Sequence, residues 1–228
     1  PDNILTVHGV GYRFQPTLAE ETTNSPAPQL LNEFIAPSQE GSRESKLGTL
    51  AASVAPAEEL ALPPTNLGVE SDRFVGRADE LTSLKKLVAG GSLVTIVGMG
   101  GIGKTRISQR FSREYLQKSS PRGGVWFFDV SEAYTTIDVL DVVGDVLQVP
   151  LVGDPSPAAL TTMLGRSLAG LGETLVVVDN VEQVVEPMIE IIRVWQGLAP
   201  GTRFVLTSRE RLNIAGERVL LLEPLSAK

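Results

Sequence analysis

Beyond residue 72 the apolar positions fall into two alternating rhythms. Short, nearly unbroken apolar runs occupy residues 93–97, 124–130, 174–179, 202–209 and 218–225, the last broken at Pro224. Runs of this length and continuity suit strands buried on both faces of a parallel sheet. Between them the apolar residues recur at helical spacing. Leu81, Leu84 and Leu87 mark a helix over 80–87, and Arg106–Phe111 opens a second. Ile137, Leu140, Val143, Val146 and Leu147 mark a third over 136–148, with Asp138, Asp141 and Asp145 outward and Pro150 ending it. A Pro-started helix over 157–171 follows with Leu160, Leu164 and Leu168, and another runs through Ile189, Ile192, Val194 and Trp195. Trp126 and Trp195 read as packing residues. Strand and helix in alternation predict an α/β fold with helices on both faces of a parallel sheet.

The first seventy residues follow other rules. Residues 4–14 alternate in strand fashion around Gly9 and Gly11, the pattern of a β-hairpin. Residues 15–70 hold nearly half of the chain's prolines among Glu, Ser, Thr and Ala, with no sustained period, which suits a linker. Two patches within it, Leu30–Ile35 and the Ala-rich stretch from Leu47 to Leu62, have some helical character.

Composition narrows the class. The 228 residues are 42% hydrophobic and carry a net charge of −7, with a pI of about 4.9 and mean hydropathy of +0.09. That balance gives no overall electrostatic case for nucleic-acid binding. Cysteine is absent, which excludes disulfides and thiolate metal sites and fits a reducing, cytoplasmic compartment. No apolar run approaches the length of a membrane span, and no signal-peptide core opens the chain. A first residue of Pro rather than Met reads as an excised piece of a longer protein.

The chemistry centres on Gly98-Met99-Gly100-Gly101-Ile102-Gly103-Lys104-Thr105, set between a strand and a helix. This is the P-loop arrangement. Backbone N–H groups of a glycine-rich loop converge on an anion, and the helix N-terminus adds a favourable field. Gly98 and Gly103 are expected to adopt torsions denied to other residues. Lys104 supplies charge to the terminal phosphates, Thr105 offers its hydroxyl to Mg²⁺, and Arg106 follows in the helix's first turn. The run 174–179 ends in Asp179, a carboxylate at a strand tip able to orient Mg²⁺, usually through water. Asn180 and Glu182 come next. The run 202–209 ends in Arg209, a cation suited to sensing a terminal phosphate.

Two family resemblances follow from these motifs. Thr6-Val7-His8-Gly9-Val10-Gly11-Tyr12-Arg13 resembles the last hairpin of the response-regulator type of winged-helix DNA-binding domain, with His8 in place of the usual Arg. The resemblance implies a wing whose recognition helix lies upstream of Pro1, so this chain alone is not expected to read a DNA sequence. Phe74-Val75-Gly76-Arg77, the P-loop, Leu175–Asn180, Thr207-Ser208-Arg209 and Leu222-Glu223-Pro224-Leu225 together resemble the nucleotide-binding domain of STAND ATPases, close to the NB-ARC type. That resemblance implies a strand order 5-1-4-3-2 and an adenine pocket near Phe74, Val75 and Arg77. It further implies a sensor role for Arg209 and an ATP/ADP switch that governs self-association or an output domain. The expected organisation is a truncated winged helix over 1–15, a linker over 16–70 and the nucleotide-binding domain over 71–228, with its helical and second winged-helix parts beyond Lys228.

Two departures bear on the activity. Ala78 replaces the Glu that usually follows the entry motif, and Asn180 replaces a second acid after Asp179. An Asn positions water but accepts no proton, which leaves Glu182 as the candidate base. The reading is therefore an ATP/ADP-binding switch with slow hydrolysis in a multidomain transcriptional regulator. A non-hydrolysing ADP-binding module is the alternative. A small-molecule P-loop kinase ranks third, for want of an Arg-rich lid segment. ATP rather than GTP rests on the resemblance and on the absence of an Asn-Lys-x-Asp stretch.

Overall fold

The computed structural model describes residues 63–69, 74–151 and 156–225. The hairpin over 4–14 and the helical patches at 30–35 and 47–62 lie outside the described residues.

In chain order the elements are α1 (Ala78–Gly90), β1 (Leu93–Val97), α2 (Lys104–Ser119), β2 (Val125–Asp129), α3 (Thr136–Leu147), α4 (Pro157–Leu171), β3 (Thr174–Asp179), a 3₁₀ turn (Val181–Gln183), α5 (Val185–Leu198), β4 (Thr202–Ser208) and β5 (Glu217–Leu221). The strands form a parallel sheet ordered β2-β3-β4-β1-β5. Read from the other edge this is 5-1-4-3-2, the order expected. Among the described residues no helix is long and apolar enough to cross a membrane.

The period of two along each strand sorts side chains between two cores. Val94 and Ile96 of β1, Leu175 and Val177 of β3 and Val205 of β4 face α1 and α2, packing with Leu84, Ile107 and Phe111. Leu93, Val176, Val178, Phe204 and Leu206 face the other way, against Leu140, Leu164, Ile192 and Trp195 of α3, α4 and α5. Trp195 is fully buried, stacks on Phe204 and donates its indole N–H to the Thr161 carbonyl. Trp126 is only half-buried, with its indole N–H on the Gly123 carbonyl.

Two local expectations shift and a third gains a role. Helix α2 starts at Lys104, two residues earlier than the apolar spacing indicates, because the loop itself leads into its first turn. Asp138, at the solvent surface as expected, is also the N3 half of a capping box with Thr135, accepting from the Tyr134 and Thr135 N–H groups. Those two bonds hold its carboxyl below the ordinary range. Finally, residues 63–69, read as the end of the linker, pair with the β2 edge. Thr65 bridges Val125 in parallel fashion and Val125 N–H donates to the Pro64 carbonyl at 3.0 Å. The Asn66 amide then donates to the Phe127 carbonyl at 2.7 Å and accepts from its N–H at 2.8 Å. Gly124, at φ +84°, permits this approach: a Cβ there would stand 1.9 Å from the Pro64 oxygen.

Candidate functional site

The carboxyl ends of β1, β3 and β4 bring together groups from widely separated parts of the chain. Such sheet edges are where open α/β folds place ligands. Val97 ends β1, Gly98 N–H bonds the Ser208 carbonyl of β4, and the loop turns into α2. Gly103 is the N-cap of α2 at φ +100°, and Gly101 also has a positive φ of +73°. The expectation for Gly98 is corrected: its φ is ordinary, and crowding is what requires glycine. A Cβ there would lie 3.0 Å from both Ile102 Cγ2 and the Leu222 carbonyl oxygen.

Lys104 is 6% exposed and its Nζ donates to the Gly98 and Met99 carbonyls at 2.9 and 3.2 Å, folded back over the loop. Thr105 Oγ1 donates to Asp179 Oδ2 at 2.6 Å. The other Asp179 oxygen accepts from Thr207 Oγ1, whose own oxygen accepts from Asn180 N–H. Burial raises the Asp179 carboxyl above its ordinary value; the Thr105 and Thr207 hydroxyls oppose this, and the Asp129 and Glu182 carboxylates add to it. A hydroxyl and a carboxylate side by side are hard oxygen donors. They fit Mg²⁺, which takes few protein ligands and fills the rest of its shell with phosphate and water.

Arg209 Nε donates to Glu182 Oε1 at 3.0 Å, with the Arg side chain 66% exposed. Its Nη2 lies 3.9 Å from where a Gly100 Cβ would be, so the guanidinium stands over the loop. Glu182 Oε2 is buried and has no partner among the described residues. Asn180, at φ +66°, donates from Nδ2 to Asp129 Oδ1 at 3.0 Å and to Asp179 Oδ2 at 3.2 Å. Asp129 was not singled out in the sequence. Its signal was available, since β2 is an apolar run ending in an acid like β3.

The entry motif is placed beside the loop but divided in role. Arg77 is buried and committed: Nη1 donates to Glu80 Oε1 at 2.8 Å and to the Glu223 carbonyl at 2.6 Å, and Nη2 donates to the Ile102 carbonyl at 3.1 Å. It ties α1 to the loop and to the residues after β5. The Arg77 guanidinium in turn holds the Glu80 carboxyl below its ordinary value. Phe74 is half-buried with the Arg110 guanidinium over its ring at 5.8 Å, while Val75 is 71% exposed. Met99, Gly100 and Arg106 are exposed, and Ile102 is half-buried against the α1–α2 core.

A strand, a glycine loop, a Lys-Thr pair opening a helix and a strand-tip acid bonded to that Thr define a P-loop nucleoside-triphosphatase domain. Residues 88–213 match the AAA domain family, and the chain belongs to it. An uncharacterized protein of Mycobacterium tuberculosis is 27% identical over 157 residues, 67% of this chain and 37% of that protein. A second M. tuberculosis protein, provisionally named an HTH-type transcriptional regulator, is 27% identical over 134 residues, 59% of this chain and 14% of that protein. The chain thus spans little more than a third of the first of these relatives and about a seventh of the second. The structure of the Aeropyrum pernix ORC1 protein in complex with DNA aligns with a TM-score of 0.56 at 19% identity, covering 68% of this chain and 47% of that one. That likeness is one of fold.

Proposed function

We propose that this chain carries a STAND-type, NB-ARC-like ATP/ADP switch with slow hydrolysis, within a longer signal-responsive transcriptional regulator. The observation that carries the reading is the Thr105–Asp179 hydrogen bond under a P-loop whose lysine is folded onto its own carbonyls. Each group has a role when nucleotide arrives. The loop N–H groups of Gly98 to Gly103 cradle the phosphates, and Lys104 exchanges two carbonyls for phosphate oxygens. Thr105 and Asp179 would hold Mg²⁺, which would supply neutralisation of charge on the phosphates. Arg209, already over Gly100, reads the terminal phosphate. Phe74 and Val75 lie on the adenine side, and Arg77 fixes their position relative to the loop rather than touching nucleotide. The relative named as an HTH regulator and the winged-helix resemblance of residues 6–13 support the transcriptional setting. Contact with DNA would then be made by the winged helix of the longer protein, and nucleotide state would govern self-association.

Calorimetric titration with MgADP and MgATP, on the wild type and on Lys104→Ala, tests the site. Binding by the wild type that is lost in the variant is expected; equal binding by both overturns the P-loop assignment. A second reading, a passive ADP holder, is favoured by Asn180, which follows Asp179 and takes no proton. Phosphate release from bound ATP separates the two.

A further inference from the structure

Strands β2 and β3 run parallel in a register that sets Asp129 beside Asp179. Asn180 Nδ2 spans the two carboxylates, at 3.0 Å from Asp129 Oδ1 and 3.2 Å from Asp179 Oδ2. Asp129 Oδ1 also accepts from Ser131 N–H at 3.0 Å. Both bonds fall on one oxygen. Asp129 is exposed, and its Oδ2 has no partner among the described residues. Glu182 is the reverse case. One of its oxygens is taken by Arg209 and the other is buried with no partner. A general base needs a lone pair within reach of a water molecule. In this arrangement Asp129 offers one and Glu182 does not.

Position agrees with this. The loop that would hold the diphosphate follows β1, and β3 and then β2 lie further along the sheet from it. In-line displacement puts the nucleophile on the side of the γ-phosphorus opposite the leaving group. Beyond β4, the tips of β3 and β2 carry Asp179 and, about 4.8 Å further across the sheet, Asp129 on the same side of the loop.

We propose that Asp129 is the catalytic carboxylate that orients and deprotonates the water attacking the γ-phosphate, with Asn180 as its positioning residue. The inference rests on the ATP-hydrolysing form of the proposed function. In the step, the water oxygen bonds to the γ-phosphorus as the bond to the β–γ bridging oxygen breaks. ADP leaves with that electron pair. The water proton passes to Asp129 Oδ2 and then to solvent, and the products are ADP and phosphate. Asn180 keeps Oδ1 engaged, so that Oδ2 is the oxygen presented to water.

The test compares wild type, Asp129→Asn, Glu182→Gln and Asn180→Ala. MgADP and MgATP affinities are measured by calorimetry, phosphate release in single turnover, and affinity for MgADP with aluminium fluoride as a probe of the in-line arrangement. Asp129→Asn is expected to bind both nucleotides within about threefold of wild type. Its phosphate release falls about 100-fold or more, and the extra affinity conferred by aluminium fluoride is lost. Asn180→Ala shows a smaller version of the same defects, and Glu182→Gln, which frees Arg209, lowers phosphate release by less than Asp129→Asn does. Loss of release in Glu182→Gln with Asp129→Asn unaffected overturns the proposal. So does a wild type that binds ATP but shows neither release nor aluminium fluoride enhancement, a result that leaves the binding site standing. A wild type that binds no nucleotide overturns the site reading and this inference together.

Discussion

Thr105 and Asp179 lie 74 residues apart and share a hydrogen bond of 2.6 Å at the carboxyl edge of the sheet. Asp179 is 1% exposed and burial raises its carboxyl above the ordinary value of 3.8. Because the folded state prefers the protonated form, the stability linked to this group is fully present below that ordinary value. It is lost as pH rises through the raised one. Above that raised value the nucleotide-free domain holds a carboxylate at a cost in stability, and a divalent cation beside it would relieve the cost. Asp179→Asn is expected to raise the Tm of the nucleotide-free protein, by about 2–4 °C for each kcal/mol relieved, while weakening MgATP binding tenfold or more. Thermal unfolding from pH 4 to 8 checks the sign: the gap between variant and wild type should widen as pH rises. A variant less stable than wild type at every pH would contradict it.

The edge of the sheet gives a second expectation. Asn66 occupies both hydrogen-bonding groups of Phe127, doing with a side-chain amide what a neighbouring strand does with its backbone. Arg113 of α2 fixes the same segment by donating to the Gly68 carbonyl. Asn66→Ala should cost about 1–2 kcal/mol and speed hydrogen exchange at the Phe127 amide, leaving the Val177 amide unchanged. Unaltered exchange at Phe127 would show that the segment does not dock as described.

How much of this was open to reading depended on the kind of interaction. Strands β1 and β3 are buried along their whole length, so burial wrote itself into the sequence as runs of Val, Ile and Leu broken only by Thr95 and bounded by Thr174 and Asp179. The P-loop was legible because its spacing is local, and Asp179 because it closes a buried apolar run. The order 5-1-4-3-2 came from family resemblance, since apolar runs do not state which strand neighbours which. The docking of residues 63–69 was hidden because it uses backbone groups and one amide, with no apolar period. Asp129 was hidden for a related reason. A strand ending in an acid is visible, but its pairing with Asn180 exists only once β2 lies against β3. Arg77, likewise, finds carbonyl partners 25 and 146 residues away.

Helices α1 and α2 meet through charge as well as packing. Glu114 bonds Lys85 of α1 at 2.7 Å and is flanked on its own helix by Arg110 and Lys118. Lys85 is the main cause holding the Glu114 carboxyl below its ordinary value of 4.5, with burial opposing and Arg110 assisting. The resulting stability is present above that ordinary value and lost as pH falls through the lowered one. Lys85 and Lys118 face solvent, so screening limits the gain to about 0.5–1 kcal/mol. Urea unfolding of Glu114→Gln should show that loss at pH 7 and converge on wild type near pH 3. A constant difference across pH would assign the effect to packing instead.

The Glu182–Arg209 pair sets up a competition that nucleotide binding should expose. Arg209 stands over Gly100 yet spends its Nε on Glu182. A γ-phosphate at the loop would carry more charge than one carboxylate and would draw the guanidinium away. ADP, lacking that group, would not. Arg209→Ala is therefore expected to weaken MgATP about tenfold while changing MgADP by less than twofold. Glu182→Gln removes the competitor, so it should tighten MgATP by a few fold and again leave MgADP alone. In the double variant the Glu182 effect on MgATP should vanish, because no guanidinium remains to be released. Calorimetry on the four proteins measures each term. Equal losses for both nucleotides in Arg209→Ala would make the pair a fixed brace of the β4 tip, with no part in distinguishing ATP from ADP.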